Sequence, residues 1–426
     1  MRRTPERATI ASVFDPRDNS LSLVRLTLAW IIVVYHAWTL GGFGQLEVNR
    51  FNPGVLTVDG FFVISGFLVT YSWSRTDTAG RFLWHRFLRI FPAFWVCLIV
   101  IAGVFAPLAW LHDRGSLDGY LNSGPHGPIQ YILQNSGLRI RMSDISGTPH
   151  GVPFPKPGSG LSQAWDGSLW TMWWDFQCYL GLAVLGLLGI LRPSRRYIVV
   201  LAAAGVWCVL VVHWLAPGFA SREFGGQRAL GTTRFVLLFL LGALLFLYRE
   251  RVFLSRLLAV LSMLAVAGST LISEPRIVSD PPFAYLVIWL GLRLPFRRIG
   301  TTRDITYGLY IYSFPFQQLM AVYGVHRHGM AVYYVTCASG SLILATGSWM
   351  FIERPAQQLK SWTPRWFVRN QGSPPVSAIP APRLSANRRA RPAAPSVDPA
   401  SRLNNIHPSS ANSADPTGAT HPSANR

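Results

Sequence analysis

Residues 21–40 read LSLVRLTLAWIIVVYHAWTL, a run in which only Arg25 and His36 can carry charge near neutral pH. About twenty predominantly apolar residues are what a helix needs to cross the roughly 30 Å hydrocarbon core of a bilayer. Arg25 and the lack of a following small-residue cleavage site argue against a removed leader peptide. Comparable runs recur at 55–73, 87–110, 169–191, 196–216, 230–248, 252–273, 281–295, 304–325 and 330–352. The expectation is an all-α polytopic membrane protein with about ten transmembrane helices. The composition agrees: 50% of the 426 residues are hydrophobic and only 14% are charged.

The formal net charge of +20 invites a nucleic-acid reading, but the placement of the charge opposes it. With the N-terminus on the cytoplasmic side, 21 Arg and Lys residues fall in inner segments and 9 in outer ones. Four of those nine lie in the single long outer segment, 111–168, so the short loops follow the positive-inside pattern. The charge is topological, and no nucleic-acid partner is expected. The four cysteines, Cys97, Cys178, Cys208 and Cys337, fall inside the apolar runs without metal-type spacing, so no metal is expected.

Three parts follow along the chain. A cytoplasmic segment, 1–20, precedes a membrane domain, 21–360. Its outer segment 111–168 is rich in Gly, Pro, Ser and Asn, and within it GPIQYILQNSGLRI (127–140) predicts a short interfacial helix. Segments this long inside a compact domain are usually functional. The tail, 371–426, has ten prolines and no aromatic residue, a composition expected to stay disordered. No repeat relates the two halves, which counts against an inverted-repeat transporter.

Charged side chains inside a span cost at least about 2.5 kcal/mol and are functional candidates by default. Arg25 and His36 are 11 residues apart, within about 20° of three full turns, so both project from one helix face separated by roughly 16 Å. In VDGFFVISGFLVT (58–70), Asp59 sits near the outer end of its span and is expected to orient His36. In WHRFLRIFP (84–92), Arg86 and Arg89 are spaced to hold phosphate groups at the cytoplasmic side. Asp175 and Gln177 interrupt the aromatic opening SLWTMWWDFQCYL (168–180) and are expected to bind substrate. Arg234 stands in an otherwise apolar span with its role open, and Glu353 is expected to pair locally with an arginine.

Taken in order, R-x10-H, DGFFVISGFL, HRFLRIFP, LWTMWWDFQCYL, YGLYIYSFP and a terminal ERP resemble the acyltransferase family 3 transmembrane proteins over about residues 20–360. The resemblance implies a ten-helix bundle that takes an acyl group from acyl-CoA, reached from the cytoplasm, to an acceptor on the outer side. It implies that Arg25 and His36 are the essential pair. Two positions depart from the family pattern. Asp175 replaces the usual Glu and is expected to keep a carboxylate role. Ser313, expected with Asp175 and Gln177 to bind substrate, replaces the usual His, which implies either a shifted substrate preference or a position that is not catalytic here.

The resulting expectation is a multi-pass inner-membrane O-acyltransferase of a bacterial cell, with both termini cytoplasmic and no permanently bound cofactor. It would move an acyl group, acetyl by default, from acyl-CoA to a sugar hydroxyl of a surface glycan, glycolipid or glycosylated metabolite. Its partners would be the lipid bilayer, acyl-CoA and a carbohydrate acceptor. His36 would be the general base or an acyl-carrying nucleophile. The alternative is a transporter or flippase for a glycan or lipid-linked substrate, in which the same polar residues bind or relay protons.

Overall fold

The computed structural model describes residues 8–362 except 45, 47–51, 123, 155–162, 217–225, 273–275 and 301–302, with no side chains described for 226–231. The tail 371–426 and the first seven residues of the N-terminal segment lie outside the described residues. Ten principal helices follow one another: α1 (Leu21–Leu40), α2 (Pro53–Ser74), α3 (Ala79–Val100), α4 (Trp170–Leu187) and α5 (Tyr197–Leu215), then α6 (Gly226–Leu247), α7 (Arg256–Ser269), α8 (Arg276–Arg293), α9 (Thr306–Val322) and α10 (Met330–Ser348). Each coincides with one apolar run of the sequence, and the described residues contain no strand. Five are long and apolar enough to cross a membrane: α1, α2, α5, α3 with its extension to Arg114, and α10 with its extension to Ser361.

Local chemistry sets several starts. Asn52 caps α2 by accepting from Val55 N at 3.1 Å, and Pro53 occupies the first turn, where a missing N–H costs nothing. Thr78 caps α3 through Arg81 N at 3.2 Å. That helix begins eight residues earlier than its apolar run, because Arg81, His85 and Arg86 belong to it. Both α3 and α10 pass through a π turn, Ile101–Phe105 and Trp349–Glu353, before continuing as α-helix.

Packing fixes the register between helices. Gly54 abuts the Tyr35 ring and Gly60 abuts Leu28, so α1 and α2 run antiparallel. The parallel pair α2 and α6 touches backbone to backbone: an added Cβ would stand 2.0 Å from Phe239 O at Gly66 and 2.1 Å from Val63 O at Gly242. Such small-residue contacts are how helices associate where lipid removes the hydrophobic drive. Almost all of α9 is buried, and its Gln317 donates to Val33 O of α1 at 3.0 Å. One end of the bundle is thus marked by Arg25, the other by His36.

The segment between α3 and α4 is folded against the His36 end. The expected short helix forms over Pro128–Asn135, and the Asn135 amide ties it to Arg141 N at 2.8 Å and Met142 O at 2.8 Å. Trp165 is fully buried and donates from Nε1 to Thr148 Oγ1 at 3.1 Å. Asp166 is 5% exposed; its Oδ1 accepts from Ser168 N at 2.8 Å, while Oδ2 has no partner among the described residues. Burial pushes this carboxyl up to about 7 against those hydrogen bonds.

Candidate active site

A cavity of about 150 Å³ opens among α1, α2, α3, α4 and α9, walled by Phe61, Phe62, Leu68 and Met172 and by a set of polar groups. Its α2 lining runs from Val58 to Val69, about 16 Å of helix rise. The Arg25 end holds three guanidinium groups: Arg25, Arg86 and Arg89 all line it.

These arginines are not equivalent. Asp304, just before α9, offers one oxygen to two of them: Oδ2 accepts from Arg89 Nη2 at 2.7 Å and Arg25 Nη1 at 3.2 Å. Arg89 also reaches Glu353 Oε2 at 3.4 Å, and Glu353 is steadied by Ser348 Oγ at 3.2 Å. The buried Glu353 thus finds an arginine, as expected, though from α3. Arg86 has no carboxylate within ion-pair distance among the described residues. It donates to Ser72 Oγ at 3.2 Å and leaves Nε buried without a partner. A buried, underused cation facing a cavity is an anion site in chemical terms.

Midway along the cavity Asp175 gathers hydroxyls. Its Oδ1 accepts from Ser65 Oγ at 2.9 Å, and Tyr179 donates to Oδ2 in a very short hydrogen bond. Opposite it, Thr171 Oγ1 and Tyr310 OH are 2.6 Å apart. The structure therefore brings Asp175 together with Arg25, Arg86 and Arg89. Gln177, expected beside Asp175, is exposed on the other side of α4, because two residues turn a helix by about 200°.

His36 stands beyond the cavity. With Gly54 beside Tyr35, the last lining residue, Val58, is roughly 6 Å of helix rise below it. The imidazole packs edge-on against Phe314 with ring centres 4.9 Å apart, and its buried Nδ1 has no hydrogen-bond partner among the described residues. Arg25 and His36 both meet the α9 region, at Asp304 and at Phe314, as residues on one face must. Ser313 is fully buried, lines neither described cavity and leaves its hydroxyl without a partner among the described residues.

Asp59 does not meet His36. The α1–α2 register sets it more than a turn deeper, and its Oδ1 lies 3.2 Å from Arg234 Nε in a buried ion pair. Arg234 thereby gains the partner that a cation in an apolar span requires. Sequence reasoning did not assign Asp304, Ser65 or Tyr179. Only Asp304 carried a signal, as an acidic residue opening an apolar run.

A helical membrane bundle enclosing a cation-ended cavity with a carboxylate and hydroxyls along its wall is that of a multi-pass membrane enzyme. The family described as an acyltransferase domain matches residues 18–350, and the chain belongs to acyltransferase family 3. It is similar to Nodulation protein 10 of Rhizobium leguminosarum bv. viciae, 30% identical over 370 residues that cover 80% of this chain and 94% of that protein. It is also similar to the O-acetyl transferase of Shigella phage Sf6, 25% identical over 350 residues that cover 79% and 96%. No solved structure matches. The chain is an O-acyltransferase.

Proposed function

We propose that the enzyme transfers an acyl group from acyl-CoA to a sugar hydroxyl of a surface glycan, glycolipid or glycosylated metabolite. The observation that carries this reading is the cavity with Arg86 free at one end and His36 beyond the other. On the measure that allots about 10–15 Å³ to a water molecule, 150 Å³ admits on the order of ten heavy-atom groups. That suits a short acyl group and the thiol end of the pantetheine arm. The nucleotide would stay outside, its phosphates meeting Arg86 first, with Arg25 and Arg89 behind it. Acetyl fits this volume and agrees with the name of the phage relative.

His36 then acts as general base on the acceptor hydroxyl, or carries the acyl group as a nucleophile, with Arg25 at the far end of the same helix face. Asp175 holds the reacting groups through its hydroxyl neighbours, and Asp59 shapes the His36 end through Arg234 rather than by touching the imidazole. In this reading the ten helices cross the bacterial inner membrane, and the positive-inside pattern of the sequence supports a cytoplasmic Arg25 end and cytoplasmic termini.

The test uses detergent-purified protein with acetyl-CoA and a surface-glycan extract, following release of free CoA thiol by wild type and His36→Ala. Release by wild type alone is expected. Absence of release from wild type across several acyl-CoAs and glycan extracts overturns the reading in favour of a transporter, and retained release by His36→Ala removes the histidine from the mechanism.

A further inference from the structure

A second, smaller cavity of about 30 Å³ lies between the start of α2 and the start of α8, and its polar lining is Asn52, Asp59, Arg276, Ser279 and Asp280. Asp280 is 3% exposed, and its Oδ2 has no hydrogen-bond partner among the described residues. Asp59 is 4% exposed; its Oδ1 faces Arg234 Nε at 3.2 Å without the alignment of a hydrogen bond. Two buried carboxylates with spare acceptor capacity around one void call for hydrogen-bond donors from outside the chain.

Charge decides which kind. Arg234 and Arg276 both lie within electrostatic reach of Asp59 and of Asp280, so two buried carboxyl groups share their surroundings with two guanidinium groups. With two guanidinium groups beside them the carboxyls present no net negative field to attract a cation, and neutral O–H donors satisfy their oxygens without adding charge. Size decides how much enters: about 30 Å³ is room for two water-sized groups. That is a pair of neighbouring hydroxyls, or a hydroxymethyl group, rather than a whole sugar ring.

Position connects this void to the reaction. Asn52 donates from Nδ2 to Tyr35 OH at 2.8 Å, and the Tyr35 ring is 5.7 Å from the His36 ring. The backbone is opened on the other side by Pro281 and Pro282, which have no N–H for the carbonyls one turn back. Trp207 Nε1 supplies one missing donor, to Ile277 O at 2.9 Å.

We propose that this cavity is a subsite for the acceptor, in which Asp280 and Asp59 take hydrogen bonds from two hydroxyls of a sugar while a third hydroxyl is presented at His36. The proposal rests on the acyltransferase reading above and names its acceptor as a polyol. The experiment uses the full chain in detergent with acetyl-CoA and a panel of simple methyl glycosides, comparing wild type, Asp280→Asn and Asp280→Ala. At least one glycoside is expected to serve as acceptor for wild type, with KM raised tenfold or more in Asp280→Asn and KM for acetyl-CoA changed less than twofold.

Unchanged glycoside KM in Asp280→Asn overturns the proposal, as does a parallel rise in both KM values. Thermal protection by acetyl-CoA serves as the folding control, and if Asp280→Ala does not fold, Asp280→Asn decides alone. A wild type that hydrolyses acetyl-CoA slowly yet uses no glycoside in the panel also overturns it while leaving the acyltransferase reading standing. No protection by acetyl-CoA and no thiol release sinks the latter instead.

Discussion

The two ends of the bundle handle charge in opposite ways. At the Arg25 end, two of three arginines, Arg25 and Arg89, share the carboxylates of Asp304 and Glu353, and Arg86 is left without one among the described residues. At the His36 end, Asp59 pairs with Arg234, Asp280 and Arg276 line the same small cavity, and the imidazole packs against Phe314. A surplus cation suits a multiply charged donor, whereas a balanced cluster suits a neutral acceptor. The same residue types therefore do different work according to whether their charges cancel.

Substitutions at the two ends test this contrast. The largest effect is expected from His36→Ala, which removes the proposed general base. General acid–base groups contribute about 10²–10⁴-fold, so kcat should fall by that much while KM for acyl-CoA stays within twofold. An equal loss of donor binding would place His36 in the donor site instead. Next comes Arg86→Gln, where losing a charged hydrogen bond worth about 1.5–3 kcal/mol should raise KM for acyl-CoA by roughly 10–100-fold and spare the acceptor. A matching rise in acceptor KM would erase the division between the ends.

Smaller effects follow from the anchoring groups. Asp304→Asn leaves Arg25 and Arg89 without their shared carboxylate oxygen, and a loss of about 1–3 kcal/mol in stability is expected because the carboxylate is only partly buried. Thermal unfolding in detergent would show it, and an unchanged midpoint would mean that solvent replaces the lost pair. The segment between α3 and α4 should respond to pH through Asp166. Its folded carboxyl titrates near 7 and its unfolded one near 3.8, so the folded state binds the extra proton between those values. Stability is therefore full below about 4 and declines as pH rises through 7, losing about 1.4 kcal/mol from pH 6 to 8. Asp166→Asn should flatten that slope, and a slope that survives the substitution assigns it to another group.

The ten helices coincide with apolar runs that could be read from the sequence, although among the described residues only five, with their extensions, are long and apolar enough to cross a membrane. The start of α3 could not be read, since Arg81, His85 and Arg86 dilute the stretch before the run although they belong to the helix. The Arg25–His36 face was also readable, because one helix's own periodicity sets it. What failed were relations between helices. Asp59 was expected at His36, but their relative height depends on how Gly54 and Gly60 seat against α1, which no single periodicity records. Asp304 joins Arg25 across 279 residues of chain, a contact that only the fold creates. Gln177 was misplaced for a simpler reason: polarity was read without asking which way the helix had turned.

The π turn at Trp349–Glu353 carries one residue more than an α turn, so everything after it is rotated by about 100° from an uninterrupted helix. Glu353 owes its place opposite Arg89 to that surplus residue as much as to its own identity. Spacing in this stretch is thus a functional trait in its own right. A relative lacking one residue there could keep every charged side chain and still point its carboxylate at lipid.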